Sequence, residues 1–209
     1  SLLPRQLARL SKLHDIRLIH FSSDAIFSGS LEGPYFEDNP PDPVNIYGMT
    51  KRLADLFIEE EAPKHHILRV GMLFGDNPKQ HQFFEKMVER AKRGHPLKVA
   101  NDVVTSPTSS RDLAILVRDI LENPAYPTGL VHAANAGQAN LFEYLSFGLQ
   151  ALGIQTKPQP VKADAFPSIG RRTLSTPLAS RYLTMRPWQE ALFEYCNSIV
   201  DASPIIKDN

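Results

Sequence analysis

Short, densely apolar runs alternating with longer amphipathic stretches constrain this chain more than any other feature. Ile16, Leu18, Ile19 and Phe21 crowd into six positions that end at Ser22 and Ser23, and residues 66–70 (HILRV) form a second run. A strand that is apolar on consecutive positions is covered on both faces, the condition of a parallel sheet packed between helices. The stretches between have helical periods. Leu2, Leu3, Leu7, Leu10 and Leu13 predict an amphipathic helix over residues 4–13. Met49, Leu53, Leu56 and Phe57 predict another over residues 46–61, with that stripe buried. Residues 29–45, rich in Gly, Pro, Asp and Asn, read as loop. Further helices are expected at 80–93, closed by Gly94, and at 110–122, capped by Ser109 or Ser110 with Asp112 in the first turn. Two more are expected at 141–152, between Asn140 and Gly153, and from Trp188 to about residue 200 behind Pro187. With strands at 97–100 and 129–133, the alternation predicts an α/β protein with a mainly parallel sheet.

Composition narrows the function classes. The 209 residues make one generous domain, large enough for a core without disulfide staples. Lys and Arg number 23 against 23 Asp and Glu, so bulk charge gives no support for binding nucleic acid or an anionic membrane. The single cysteine, Cys196, excludes an internal disulfide and reads as helix packing. His65 and His66 are adjacent on a strand and point to opposite faces, which argues against a shared metal. With no run of 18 apolar residues and no signal-peptide layout, the expectation is a cytoplasmic protein.

Three features converge on one chemistry. Ser22, Ser23 and Asp24 lie just past the carboxyl end of a predicted strand, where open α/β sheets place their ligands. Tyr47 and Lys51, in Y-G-M-T-K, are four residues apart near a helix start and share one face. Hydride delivery to a ketone leaves charge on oxygen that must be protonated as it forms. A phenol is a weak acid at neutral pH, and a neighbouring ammonium with the positive end of a helix stabilises its phenolate. Tyr47 then serves as general acid in one direction and base in the other, Ser23 aligns the substrate oxygen, and Lys51 reaches the ribose of a nicotinamide cofactor. Y-x-x-x-K by itself is common by chance, and taken alone an ordinary amphipathic helix start explains it better.

The surrounding text is more specific. HFSSDAIFSG, GPYFEDNPPDPVNIYGMTK, HHILRVGMLFG and VANDVVTSPTSSRDLA resemble, in order, the extended short-chain dehydrogenase/reductase superfamily, and within it the dTDP-4-dehydrorhamnose reductase family. The resemblance continues to RPWQEALFEY near the end of the chain. It implies that Ser23 takes the family's catalytic Ser/Thr place, Tyr47 the proton donor's and Lys51 the cofactor-binding lysine's. It also implies reduction of a 4-keto sugar nucleotide with NADP or NAD as cofactor. The fold it implies is the C-terminal portion of a Rossmann-like parallel sheet (residues 1–139), with a small mixed α/β substrate-binding lobe and C-terminal helix (residues 140–209) across an interwoven boundary. Asp24, Met72, Arg171 and Arg172 fall on the substrate side of this scheme. Arg171 and Arg172 resemble the family's R-R-P segment and either meet a diphosphate or stand as solvated charges. Asn101 and Asp102 either border the cleft or form a turn.

The chain also departs from the family. None of its eleven glycines falls in the G-x-x-G-x-x-G turn that holds a cofactor pyrophosphate. About the first third of the family fold is therefore expected to be missing, with weak NAD(P)H binding by this chain alone. A sheet without its first strands exposes an edge where a second copy or another chain associates. Ala25 and Met72 stand where the family has Tyr and Trp beside the sugar nucleotide. These departures favour a second reading, a non-catalytic sugar-nucleotide-binding or regulatory module like the regulatory subunit of methionine adenosyltransferase, a relative on this scaffold. Epimerases and dehydratases share the Tyr/Lys pair and form a third; dehydratases place acidic residues beside the serine, but Asp24 already fits the reductase pattern.

Overall fold

The computed structural model describes residues 2–75, 82–168, 170–171 and 173–202. In chain order, helix α1 (Leu2–Leu13) leads into strand β1 (Leu18–Ser23) and a 3-10 turn at Asp24–Ile26. Helix α2 (Ile46–Glu61), strand β2 (His65–Val70) and the short β3 (Leu73–Phe74) follow. Next come α3 (Phe83–Lys92), β4 (Lys98–Ala100), β5 (Val104–Thr105), β6 (Thr108–Ser109) and α4 (Ser110–Glu122). The remainder is β7 (Gly129–His132), β8 (Ala139–Asn140), α5 (Leu141–Ala151), β9 (Gln159–Val161), a 3-10 turn at Ala163–Ala165 and α6 (Trp188–Ala202).

The main sheet has the order β1-β2-β7, all parallel, with Ser22 opposite Arg69 and Arg69 opposite His132. Helices α1 and α2 cover one face, where Ala8, Ile58, Ala62 and Ile67 form a core. Helix α4 covers the other, packing Leu113, Leu116 and Ile120 on Leu68, Val70 and Val131. Covering on both faces is why the strand sequences are apolar without alternation. Among the described residues nothing pairs with the outer edge of β1.

A second, larger core joins α3, α5 and α6 around Phe84, Tyr144, Leu145, Leu149, Trp188 and Leu192. Trp188 packs edge-on against Phe147, ring centroids 5.3 Å apart, and Cys196 is fully enclosed as a packing residue. Short strand pairs stitch the two regions: β3 with β6, β4 with β9, and β5 with β8.

Local signals placed most helix ends. Ser109 caps α4 by accepting the Asp112 N–H, and Asn140 with Glu143 forms a capping box on α5. Gly153, with φ of +67°, follows the end of α5. The stripe assigned to α2 is a correction. Met49, Leu53 and Leu56 are exposed and Phe57 is half-buried, whereas Gly48, Ala54, Asp55 and Ile58 face the sheet. Ala54 and Ile58 make the contact with the sheet, and the other long apolar side chains of α2 point outward. In α1 likewise Ala8 and Ser11 are buried, and Leu2, Leu3, Leu7, Leu10 and Leu13 are exposed. Among the described residues no helix is long and apolar enough to cross a membrane.

Candidate active site

Strand β1 ends at Ser23, which caps the 3-10 turn: its Oγ accepts the Ala25 N–H at 3.2 Å and donates to Asp24 Oδ1 at 3.1 Å. Asp24 Oδ2 accepts the hydroxyl of Thr176 at 2.9 Å. Burial pushes the Asp24 carboxyl above the usual range, against the donors Thr176, Ser23, the Ala25 N–H and Thr105, which favour the ionised form.

Helix α2 is brought to this turn at its first residues. A Cβ on Gly48 would lie within 3.0 Å of the Ala25 carbonyl group and of Pro43 Cβ, so only glycine permits the approach. Tyr47 and Lys51 flank that contact. Tyr47 is 56% exposed, and the Lys51 ammonium lies 5.9 Å from the centre of its ring. Lys51 Nζ donates to the Phe21 carbonyl of β1 at 2.9 Å, which fixes it at the sheet edge and leaves two of its three donors for a ligand. The structure therefore brings α2's tyrosine and lysine to the same carboxyl end of the sheet as Ser23 and Asp24.

Asn45 caps α2 through the Gly48 N–H at 2.8 Å, and its Nδ2 donates to the Arg171 carbonyl at 3.2 Å. That bond ties Arg171 to the start of the tyrosine helix, with the Arg171 side chain exposed. Arg172 lies outside the described residues. Beyond this segment opens a cavity of about 470 Å³, whose walls include Asp102, Lys162, Phe166, Gly170 and Leu174. Asp102 lines this cavity, and its Oδ1 accepts the Ala163 N–H at 2.9 Å. Met72 is half-buried against the second core, its backbone held by the Thr105 hydroxyl at 3.3 Å and by the Thr108 N–H.

Beneath the site lies a charged layer that motif reading missed. Asp55, one turn after Lys51, is fully buried and pairs with buried Arg69 at 3.2 Å. Burial lowers the basicity of His20 on β1; Asp55 opposes that and Lys51 adds to it. Asp55 at i+4 from Lys51 was the available signal. Nothing in the sequence marked Thr176, 152 residues from Asp24, or the aromatic wall Phe166.

For a nicotinamide dinucleotide, the residues present fit one end. A half-exposed phenol beside an ammonium with spare donors suits the ribose and nicotinamide, whereas no described segment forms a glycine-rich strand-to-helix turn for the pyrophosphate.

Known proteins match along most of the chain. The spore coat polysaccharide biosynthesis protein SpsK of Bacillus subtilis is 31% identical over 85% of this chain and 62% of its own length. A dTDP-4-dehydrorhamnose reductase of Mycolicibacterium smegmatis is 30% identical over 96% of this chain and 63% of its own. The chain thus spans less than two thirds of these curated relatives. The crystal structure of a dTDP-4-dehydrorhamnose reductase from Bacillus anthracis in complex with NADP superposes with a TM-score of 0.86 at 25% identity, covering 93% of this chain and 70% of that one. Residues 1–200 match the RmlD substrate binding domain, so the doubly covered sheet and its helical lobe are those of that family, to which this chain belongs.

Proposed function

We propose that the chain carries the substrate-side half of an NAD(P)H-dependent reductase of 4-keto sugar nucleotides, a cytoplasmic enzyme resembling dTDP-4-dehydrorhamnose reductase. The observation that carries this reading is the glycine-only contact of Gly48 with the Ala25 carbonyl, which sets Tyr47 and Lys51 beside the Ser23 turn. In this reading Tyr47 delivers the proton to the ketone oxygen, Lys51 stabilises the phenolate left behind and holds the ribose, and Ser23 aligns the oxygen. NADPH or NADH, when bound, supplies the hydride. Asp24, Met72, Arg171 and Arg172 border the sugar nucleotide, with the cavity at Lys162 and Phe166 available for its nucleoside end. Residues 1–139 then serve the cofactor side and 140–209 the substrate side. A second copy or another polypeptide covers the free edge of β1.

The test is NADPH oxidation in the presence of a dTDP-linked 4-keto-6-deoxy sugar, with calorimetric titration of NADPH and NADH. Tyr47→Phe should abolish nearly all turnover while the unfolding midpoint stays unchanged; normal turnover in that variant removes Tyr47 as proton donor. One observation favours a second reading, a non-catalytic binding module: Ala25 and Met72 stand where the resemblance expects aromatic side chains beside the sugar nucleotide. Absence of binding to either cofactor supports it.

A further inference from the structure

The hydroxyl of Ser23 has a single hydrogen, and its use depends on its neighbour. Ser23 Oγ accepts the Ala25 N–H and faces Asp24 Oδ1 at 3.1 Å. An ionised carboxylate can only accept, so the Ser23 hydrogen must then point at Asp24 and is lost to any ligand oxygen. A neutral carboxyl carries its own hydrogen and can donate it to Ser23, whose hydrogen then turns outward. The Ala25 N–H holds the oxygen in place in both states.

The carboxyl is also kept from swinging away. Its Oδ2 accepts the Thr176 hydroxyl at 2.9 Å, and Thr176 is 4% exposed, with its own N–H on the Val104 carbonyl at 3.0 Å. The groups bearing on Asp24 are neutral donors: Ser23 and the Ala25 N–H from its own turn, Thr105 from β5, and Thr176 from the loop after Arg171. From α2 the ionisable side chains at this end are Tyr47 and Lys51, the latter held at the Phe21 carbonyl. With no cation bonded to it, burial dominates and favours the neutral form.

We propose that Asp24 is a positioning residue for Ser23: the proton on its Thr176-anchored carboxyl decides whether Ser23 offers its hydrogen to a ligand oxygen. The proposal rests on the ketoreductase reading for its catalytic consequence. The proton is exchanged with water, and no other group changes its bonding. A neutral Asp24 gives the reduced ketone oxygen two donors, Tyr47 and Ser23; an ionised Asp24 leaves it one.

The test compares the native sequence with Asp24→Asn, whose amide is a permanent donor toward Ser23 and whose carbonyl still accepts from Thr176. With NADPH and a dTDP-linked 4-keto sugar, kcat of the native protein should fall tenfold or more as rising pH ionises Asp24, the scale of losing one oxyanion donor. In Asp24→Asn that fall should vanish; the same fall in both proteins overturns the proposal. A readout independent of turnover is the carbon-13 titration of Asp24 Cγ and Ser23 Cβ. Both should move with one midpoint above the ordinary aspartate range, and Thr176→Val should raise that midpoint. A Ser23 Cβ indifferent to the Asp24 titration also overturns the proposal. Joint titration without any binding of the dTDP-linked 4-keto sugar overturns the ketoreductase reading and leaves the hydrogen exchange between the two residues standing.

Discussion

Gly48→Ala tests the contact on which the site depends. The added methyl would lie at or inside 3.0 Å of the carbonyl carbon and oxygen of Ala25 and of Pro43 Cβ, where ordinary carbon contacts are about 3.5–4.0 Å. The obstacle is mainly backbone, and with the Ala25 oxygen only 2.1 Å away α2 must retreat by about 1 Å or more. Two effects oppose each other. Alanine favours a helix over glycine by about 1 kcal/mol, whereas overpacking a close contact costs about 1–3 kcal/mol. The expected net is a loss of up to about 2 kcal/mol, read as a lower urea midpoint with an unchanged slope. Turnover is more sensitive, because misplacing a reacting group by about 1 Å costs roughly 100-fold. NADPH oxidation should therefore drop by one to two orders of magnitude in a variant that still folds. A raised urea midpoint together with native turnover would show that α2 has room to spare and that the approach of Tyr47 to Ser23 is not set by this glycine.

The other predictions concern the interior. Asp55→Ala strands Arg69 without its partner and should lower stability by about 3–5 kcal/mol in urea unfolding, whereas the double apolar variant Asp55→Leu with Arg69→Met should recover most of that loss. Burial lowers the basicity of His132 more than Glu37 restores it, so the unfolded chain takes up this proton first as pH falls. Stability should decline below about pH 6.5, by up to about 1.4 kcal/mol per pH unit from this group, and His132→Gln should flatten that slope in pH-dependent unfolding. Burial pushes the Cys196 thiol up to about 12, so iodoacetamide at pH 8 should label it only after denaturant is added; rapid labelling of the native chain would contradict its enclosure.

What the sequence disclosed depended on the kind of signal. Caps worked because they are local: Ser109, Asn140 and Gly153 each report a helix end through their own side chain or φ. The main strands were legible because covering on both faces makes them apolar throughout. Strands of two or three residues, such as β3, β5 and β6, are too short to show any period. Periodicity told that α1 and α2 have an apolar stripe but not which way it faces, since Gly48, Ala54 and Ala8 pack inward without looking hydrophobic enough. At the site, Ser23, Tyr47 and Lys51 were visible as a motif. Thr176 and Arg69 were not, because partners that act through folding over long chain separations leave no spacing to read.

The stitching of the two regions bears on how such a protein can diversify. β4 takes its neighbour from 61 positions further along the chain, at Lys98 and Gln159, and Arg186 reaches back to Asp112. A gene exchange that imported residues 140–209 as one cassette would cut through β8 and carry β9 away from the β4 strand it pairs with. Substitutions along the cavity wall, at positions such as Lys162 and Phe166, fall outside these strand pairs and leave the stitching intact.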